Sequence, residues 1–102
     1  MARKKTAAAS AASLELPAVL DLKAAAPLAE QLLAMRGSPI TVSAAQVERI
    51  GAQCAQVLLS AAATWKSDKA SFAITGASDG FESGLRLMGL STERLMEQEI
   101  AQ

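Results

Sequence analysis

Apolar and small residues recur at spacings of three and four through the middle of the chain. The stripe comprises Ile50, Cys54, Val57, Leu58, Ala61, Ala62 and Trp65. This spacing places the side chains on one face of an α-helix, which we expect to begin near Gly51 and Ala52. The first N–H groups of a helix have no intrahelical partners and favour anions, so a phosphorylated side chain would be well placed there. This sequence, however, has no hydroxyl side chain at the turn.

Three other segments have the pattern of short strands. Residues 13–22 carry apolar side chains at alternate positions on both sides of Pro17, which predicts two strand pieces broken at a sheet edge. In residues 40–42 and 70–75, apolar residues alternate with polar or small ones, as in half-buried strands.

Helical periodicity returns on either side of these strands. Residues 24–35 form one predicted helix, with Pro27 tolerated in its first turn. Ser78 is suited to cap a second helix, which Gly89 would end, and a last helix opens at residue 91 or 92 and carries Ile100. Strands that alternate with helices predict an α/β fold, in which crossover helices cover a sheet.

Composition narrows the possible functions. The 102 residues, 51% hydrophobic and 20% charged, are typical of one globular domain. Ten basic and ten acidic residues cancel, so no overall field attracts nucleic acid or an anionic membrane. No apolar run approaches the length of a membrane span, so we expect no membrane insertion. The single Cys excludes an internal disulfide and fits a reducing compartment, so we expect a cytoplasmic protein.

Residue chemistry argues against catalysis and against metal binding. The sequence has no His and one Cys, which excludes a Cys-based metal site, zinc ligation by His and His-based acid/base catalysis. The carboxylates are dispersed, and no pair of them indicates hydrolysis. We therefore expect a protein that is not an enzyme and that has no catalytic, metal or cofactor site.

The first residues differ in composition from the remainder. Residues 1–12 combine a short basic cluster with Ala and Ser and have no large apolar anchor after the initial Met. We expect a disordered arm over residues 1–12 and a single domain over residues 13–102. The alternative is that Arg3, Lys4 and Lys5 contact phosphates or lipid headgroups.

Several short motifs, taken in order, resemble the STAS family, the sulfate-transporter and anti-sigma-factor-antagonist domain. They are LDL at residues 20–22, the strand at Ile40, V-x-x-I at Val47 and Ile50 leading into VLL at residues 57–59, and the closing Leu87, Gly89 and Leu90. The similarity covers about residues 14–90. It implies the STAS fold: a small mixed β-sheet of about four strands covered by three to four α-helices.

The family switch is an Asp followed by a phosphorylatable Ser or Thr at the start of the central helix. By this resemblance, Gly51 stands in the Asp position and Ala52 in the Ser position. Ala has no oxygen to accept a phosphoryl group, so the switch is degenerate here. The family Gly two residues later is Cys54, which we expect to be a small buried thiol.

STAS proteins bind partner proteins next to this switch. The resemblance therefore implies a partner-binding surface, which we name the docking surface: Glu48, Arg49, Gly51, Ala52, Gln53 and Gln56. Gln53 and Gln56 should face outward while the apolar stripe faces the sheet. Trp65 is expected to pack in the core or, alternatively, to anchor a partner. Phosphorylation of another hydroxyl stays open, with Thr41, Ser43, Ser60 and Ser78 the nearest.

Three functions fit the resemblance. The first is a non-catalytic cytoplasmic adaptor that binds a signalling protein, with the chemotaxis histidine kinase as partner, as for small STAS proteins that lack the phosphoacceptor. The second is a phosphorylation-independent antagonist of an anti-sigma factor, a kinase of the ATP-binding type. The third is an accessory subunit on the ATPase of a lipid-transport ABC system. The sequence leaves the oligomeric state open.

Overall fold

The computed structural model describes residues 12–96. Its strands are β1 (Ala12–Glu15), β2 (Val19–Leu20), β3 (Ile40–Ser43), β4 (Arg49–Ile50) and β5 (Phe72–Thr75). Its helices are α1 (Leu22–Ala34), α2 (Ala52–Ser67), α3 (Asp79–Leu87) and α4 (Thr92–Met96). The alternation confirms the α/β prediction. The predicted arm lies outside the described residues except for Ala12, which begins β1, and Ile100 also lies outside them.

The strands form two parallel units rather than the single mixed sheet of about four strands that we predicted. β1, β3 and β5 pair in that spatial order, and β2 pairs with β4. The strand pairs in residues 12–96 are parallel. Between the two strands of each pair the chain passes through α1 or α2, and this crossover brings it back to the end of the sheet where the first strand began. The register aligns Leu14, Val42 and Ile74, and all three side chains are buried. Pro17 separates β1 from β2, as predicted, and these strands belong to different units.

The start of α1 differs from the prediction. Asp21 adopts an extended backbone and accepts a hydrogen bond from the Ala24 N–H at 3.2 Å, so the helix begins at Leu22 rather than at residue 24. Leu22, which alternation assigned to a strand, lies in the helix and is 69% exposed. Pro27 is therefore in the second turn, where it removes the hydrogen bond that would reach the Lys23 carbonyl.

The predicted apolar stripe forms the buried face of α2, with one exception. Cys54, Leu58 and Trp65 are almost fully buried, and Val57 is half-buried. Ile50 is the last residue of β4 and not part of the helix. It is nevertheless buried, because β4 continues directly into α2 and the apolar face passes from strand to helix.

The predicted boundaries of α3 are confirmed. The Ser78 hydroxyl accepts a hydrogen bond from the Phe81 N–H at 3.1 Å and caps the first turn. At the other end Gly89 has a φ of +76°, and the Leu90 N–H donates to the Leu85 carbonyl at 2.8 Å. This is a Schellman C-terminus, for which glycine is favoured because it adopts positive φ without a steric cost.

The short helix α4 packs against β5, an edge strand of the three-stranded sheet. Ser91 is its N-cap, since the hydroxyl accepts a hydrogen bond from the Arg94 N–H at 3.2 Å. The Ile74 N–H of strand β5 donates to the Met96 sulfur at 3.2 Å. α4 therefore satisfies a backbone donor on β5.

Candidate functional site

The junction between β4 and α2 is held by backbone hydrogen bonds to β2 and the residue before it. The N–H groups of Glu48 and Arg49 donate to the Ala18 carbonyl at 2.7 and 3.2 Å. One step later, the Gly51 N–H donates to the Leu20 carbonyl at 2.9 Å. These bonds pair the turn with a neighbouring strand, so α2 starts from a defined position.

Gly51 is the N-cap of α2, and no side chain caps this helix. Its φ of −101° and ψ of 177° are extended backbone that any residue adopts. A Cβ at this position would lie 3.7 Å from the Leu20 carbonyl oxygen, an ordinary van der Waals contact. Neither conformation nor space requires glycine here. Packing therefore does not explain why residue 51 has no side-chain oxygen.

All six residues of the predicted docking surface are exposed. Glu48 and Arg49 lie in the turn and β4, Gly51 and Ala52 open α2, and the two glutamines follow along its first turns. The structure thus brings the six together around the N-terminal end of one helix. Gln53 and Gln56 face outward, as predicted from the position of the apolar stripe.

Ala52, which the resemblance places at the family's phosphoacceptor position, is accessible to solvent and carries no hydroxyl. Ala52 is the first residue of α2 and is exposed, so its methyl group occupies the place where a hydroxyl would be reached from solvent. Among the other hydroxyls considered, Thr41 and Ser60 are exposed and Ser43 is half-buried. Ser78 is engaged in the cap of α3 and also donates to the Val47 carbonyl.

Cys54 lies beneath this surface and faces the interior. Its side chain is fully buried, and its thiol donates to the Asp21 carbonyl at 3.3 Å. Burial raises the pKa of the Cys54 thiol, and the negative charge of Asp21 raises it further. A buried thiol with a raised pKa is a poor nucleophile, which agrees with the predicted core role.

Sequence reasoning missed a groove between α1 and α2, next to the docking surface. It has a volume of about 470 Å³, and Gln53 and Gln56 line it together with apolar and small residues from both helices. Leu33 contributes one wall and is 66% exposed. The available signal was the helical spacing of Ala25, Ala29 and Leu33 on α1, a second apolar face beside the buried one.

Trp65 also lines this groove, but the ring belongs to the core. It is 2% exposed, and its indole N–H donates to the Ser38 carbonyl at 2.6 Å. The ring packs against Phe72 at a centroid distance of 5.8 Å. Trp65 therefore joins α2 to the segment before β3 and does not project as a partner anchor.

Residues 12–96 contain no cluster of three or more His, Cys, Asp or Glu side chains placed to hold a metal ion. Over the same range, no helix has the length and apolar character needed to cross a membrane. Around the start of α2, the described residues expose backbone N–H groups, two amides and one pair of opposite charges.

Comparison with known proteins agrees with this architecture. A family profile described as "Mlab, STAS domain" matches residues 4–97, which is most of the chain. No curated protein and no solved structure gives a match. The parallel strands, the crossover helices and the match over nearly the whole sequence lead to one conclusion: the chain belongs to the STAS domain family.

Proposed function

We propose that this chain is a non-catalytic cytoplasmic adaptor that binds a signalling protein through the docking surface. STAS domains are generally non-catalytic modules that mediate protein–protein interactions. The observation that carries the proposal is at Gly51 and Ala52, which are exposed at the start of α2 and have no side-chain oxygen. A surface that phosphate controls elsewhere in the family is then permanently in its unphosphorylated state.

The small residues at the start of α2 also suit close approach by a partner. Gly51 and Ala52 let another backbone come near the N–H groups of the first turn, while Gln53 and Gln56 supply donors and acceptors one turn along. Glu48 and Arg49 add opposite charges beside them. Such a mixed surface gives specificity through paired hydrogen bonds rather than through a strong field.

The partner we propose is the chemotaxis histidine kinase. This follows from the resemblance to small, Ala-rich STAS proteins without the phosphoacceptor. The alternatives are an anti-sigma factor of the ATP-binding kinase type and the ATPase of a lipid-transport ABC system. All three are proteins, so the same surface is available to each, and direct binding experiments distinguish them.

The test is calorimetric titration of the full chain against the three purified candidates, with and without ATP. We expect binding to the histidine kinase with an affinity that prior incubation of both proteins with ATP does not change. Intact-mass measurement after that incubation should show no phosphate on residues 50–55. Phosphate mapped elsewhere, together with a change in affinity, would mean that another hydroxyl has become the switch.

The binding results also rank the partners. Binding to the anti-sigma kinase or the ABC ATPase alone would replace the proposed partner and keep the adaptor function. Failure to bind all three would contradict the adaptor proposal for these classes of partner.

A further inference from the structure

Helix α3 packs against the docking surface from behind, with almost no side chain between the two backbones. A Cβ added at Gly80 would lie 2.7 Å from the carbonyl carbon and 2.9 Å from the Cα of Glu48, and closer still to the Glu48 oxygen. One turn later, a Cβ at Gly84 would lie 2.6 Å from Cγ2 of Ile50 and 3.2 Å from its carbonyl oxygen. Two glycines therefore allow α3 to contact the turn and β4 directly.

α3 has little freedom to move away from this contact. Phe81 and Leu85, on its buried face, are completely inaccessible to solvent. The Ser78 N–H donates to the Ala44 carbonyl at 3.2 Å, and the Ser78 hydroxyl donates to the Val47 carbonyl. The helix is thus attached both to the core and to the loop that precedes the docking surface.

The other side of the turn is equally constrained. Glu48 and Arg49 donate to Ala18, and Gly51 donates to Leu20, so residues 48–51 lie between β2 and α3. Any atom added on the α3 side must push the turn against these hydrogen bonds. Because Gly51 is the N-cap of α2, such a displacement reaches the first turn of that helix.

We propose that Gly80 and Gly84 are positioning residues for partner binding: they set where Glu48 and the start of α2 lie, although neither glycine belongs to the docking surface. This inference rests on the proposed function and names a second element, α3, on which the affinity depends. Gly80 should be the more sensitive position, because an added Cβ there meets backbone. At Gly84 the nearest atom is a side-chain methyl.

The experiment compares Gly80→Ala, Gly84→Ala and a control, Ser83→Ala, which lies on the exposed face of the same helix. Affinity for the histidine kinase is measured by calorimetry at a temperature where melting curves show each variant fully folded. We expect the Kd to rise roughly tenfold for Gly80→Ala, less for Gly84→Ala, and not at all for Ser83→Ala. A purely structural role would lower the Tm and leave the Kd of the folded protein unchanged, which would overturn the inference.

Two further results keep the test decisive. Ser83→Glu should also leave the Kd unchanged, because the positioning role requires no contact between α3 and the partner. A fall in affinity would mean that α3 touches the partner directly and would contradict the positioning role. If Gly80→Ala does not fold, the comparison is made with Gly84→Ala.

If the wild-type chain binds none of the three candidates, the proposed function fails, and the positioning claim is tested separately. Amide NMR of the free variants then decides the positioning claim, which requires shift changes that reach Ala52 and Gln53.

Discussion

The N–H of Gly51 donates to the carbonyl of Leu20 at 2.9 Å, and the same glycine is the N-cap of α2. The backbone of Gly51 is therefore fixed by a hydrogen bond to β2, whatever side chain this position carries. Its conformation suits every amino acid, and a Cβ would meet nothing closer than 3.7 Å. The start of α2 would therefore accept a side chain at residue 51 without a change in its backbone.

Gly51→Asp should stabilise the domain slightly. The new carboxylate would cap the first turn of α2, where glycine supplies no side-chain oxygen, and Asp exceeds Gly as an N-cap by a few tenths of a kcal/mol. The expected rise in Tm is about 1 to 2 °C, measured by thermal melting. Gly51→Ala is the control, since it adds the Cβ without the capping oxygen. A Tm for Gly51→Asp below that of Gly51→Ala would show that the carboxylate does not reach the N–H groups.

Cys54 should be unreactive in the folded protein. Its thiol is buried and bonded to the Asp21 carbonyl, and burial raises its pKa, so little thiolate forms and no reagent reaches it. A thiol-specific chromogenic reagent at about pH 8 should leave the native protein unlabelled and should titrate one thiol per chain after denaturant is added. Rapid labelling of the native protein would place Cys54 on the surface.

Trp65→Phe should cost stability through a lost hydrogen bond and through the space that the smaller ring leaves in the core. The indole N–H donates to the Ser38 carbonyl at 2.6 Å, and phenylalanine leaves that carbonyl without this donor. We expect the free energy of unfolding, measured by urea denaturation, to fall by at least the share of the hydrogen bond, about 1 to 2 kcal/mol. Leu33→Ala is the control, because Leu33 is 66% exposed and its removal should change stability by less than about 0.5 kcal/mol. Equal effects of the two substitutions would contradict the role given to the indole.

The contact between Arg36 and Asp68 should make part of the stability depend on acid pH. Two hydrogen bonds, of 2.8 and 3.1 Å, join the guanidinium to the carboxylate and lower the pKa of Asp68 below its ordinary value of 3.8. A lowered folded-state pKa stabilises the protein above the unfolded-state pKa, and that contribution is lost as the pH falls through the folded-state value.

Thermal melting of the wild-type and Asp68→Asn chains measures this effect. The wild type should melt slightly higher at about pH 7, and the difference should shrink as the pH falls below 3.8 and through the lowered folded-state pKa of Asp68. The effect is small because the pair is partly exposed. A difference that persists in acid would exclude ionisation of Asp68 as its cause.

The periodicity of apolar residues predicted much of this fold, because the same side chains that repeat along the sequence are the ones buried in the structure. The α2 stripe, the β3 and β5 strands and the Ser78 cap depend on local spacing and local hydrogen bonds, and all appear in the structure. Leu22 misled the prediction since it continues the alternation of β2, whereas the Asp21 cap starts the helix at Leu22, two residues earlier than predicted.

Features that depend on how elements pack together were not predictable. The α1–α2 groove depends on the separation of the two helices. The close approach of Gly80 to Glu48 depends on the position of α3 relative to β4. Neither distance is encoded by spacing within one element. The grouping of the six residues of the proposed docking surface could be predicted because they are neighbours in sequence, at the junction of one strand and one helix.

Ala52→Glu tests the proposed docking surface most directly. Ala52 is exposed at the N-terminal end of α2, where a carboxylate stabilises the helix by about 0.3 to 1 kcal/mol. The fold should therefore be kept. In the complex, the same charge would be desolvated against the partner, at a cost of a few kcal/mol if it stays unpaired. Ala26→Glu is the matched control, an exposed alanine near the start of α1 and outside the docking surface.

The measurement is calorimetric titration of both variants against the histidine kinase, with thermal melting as the control for folding. We expect Ala52→Glu to keep the wild-type Tm or exceed it and to weaken the Kd at least tenfold, equivalent to about 1.4 kcal/mol. Ala26→Glu should bind as the wild type does. An unchanged Kd in folded Ala52→Glu would contradict the account and move the interface away from the start of α2, to the α1–α2 groove or the C-terminal helix.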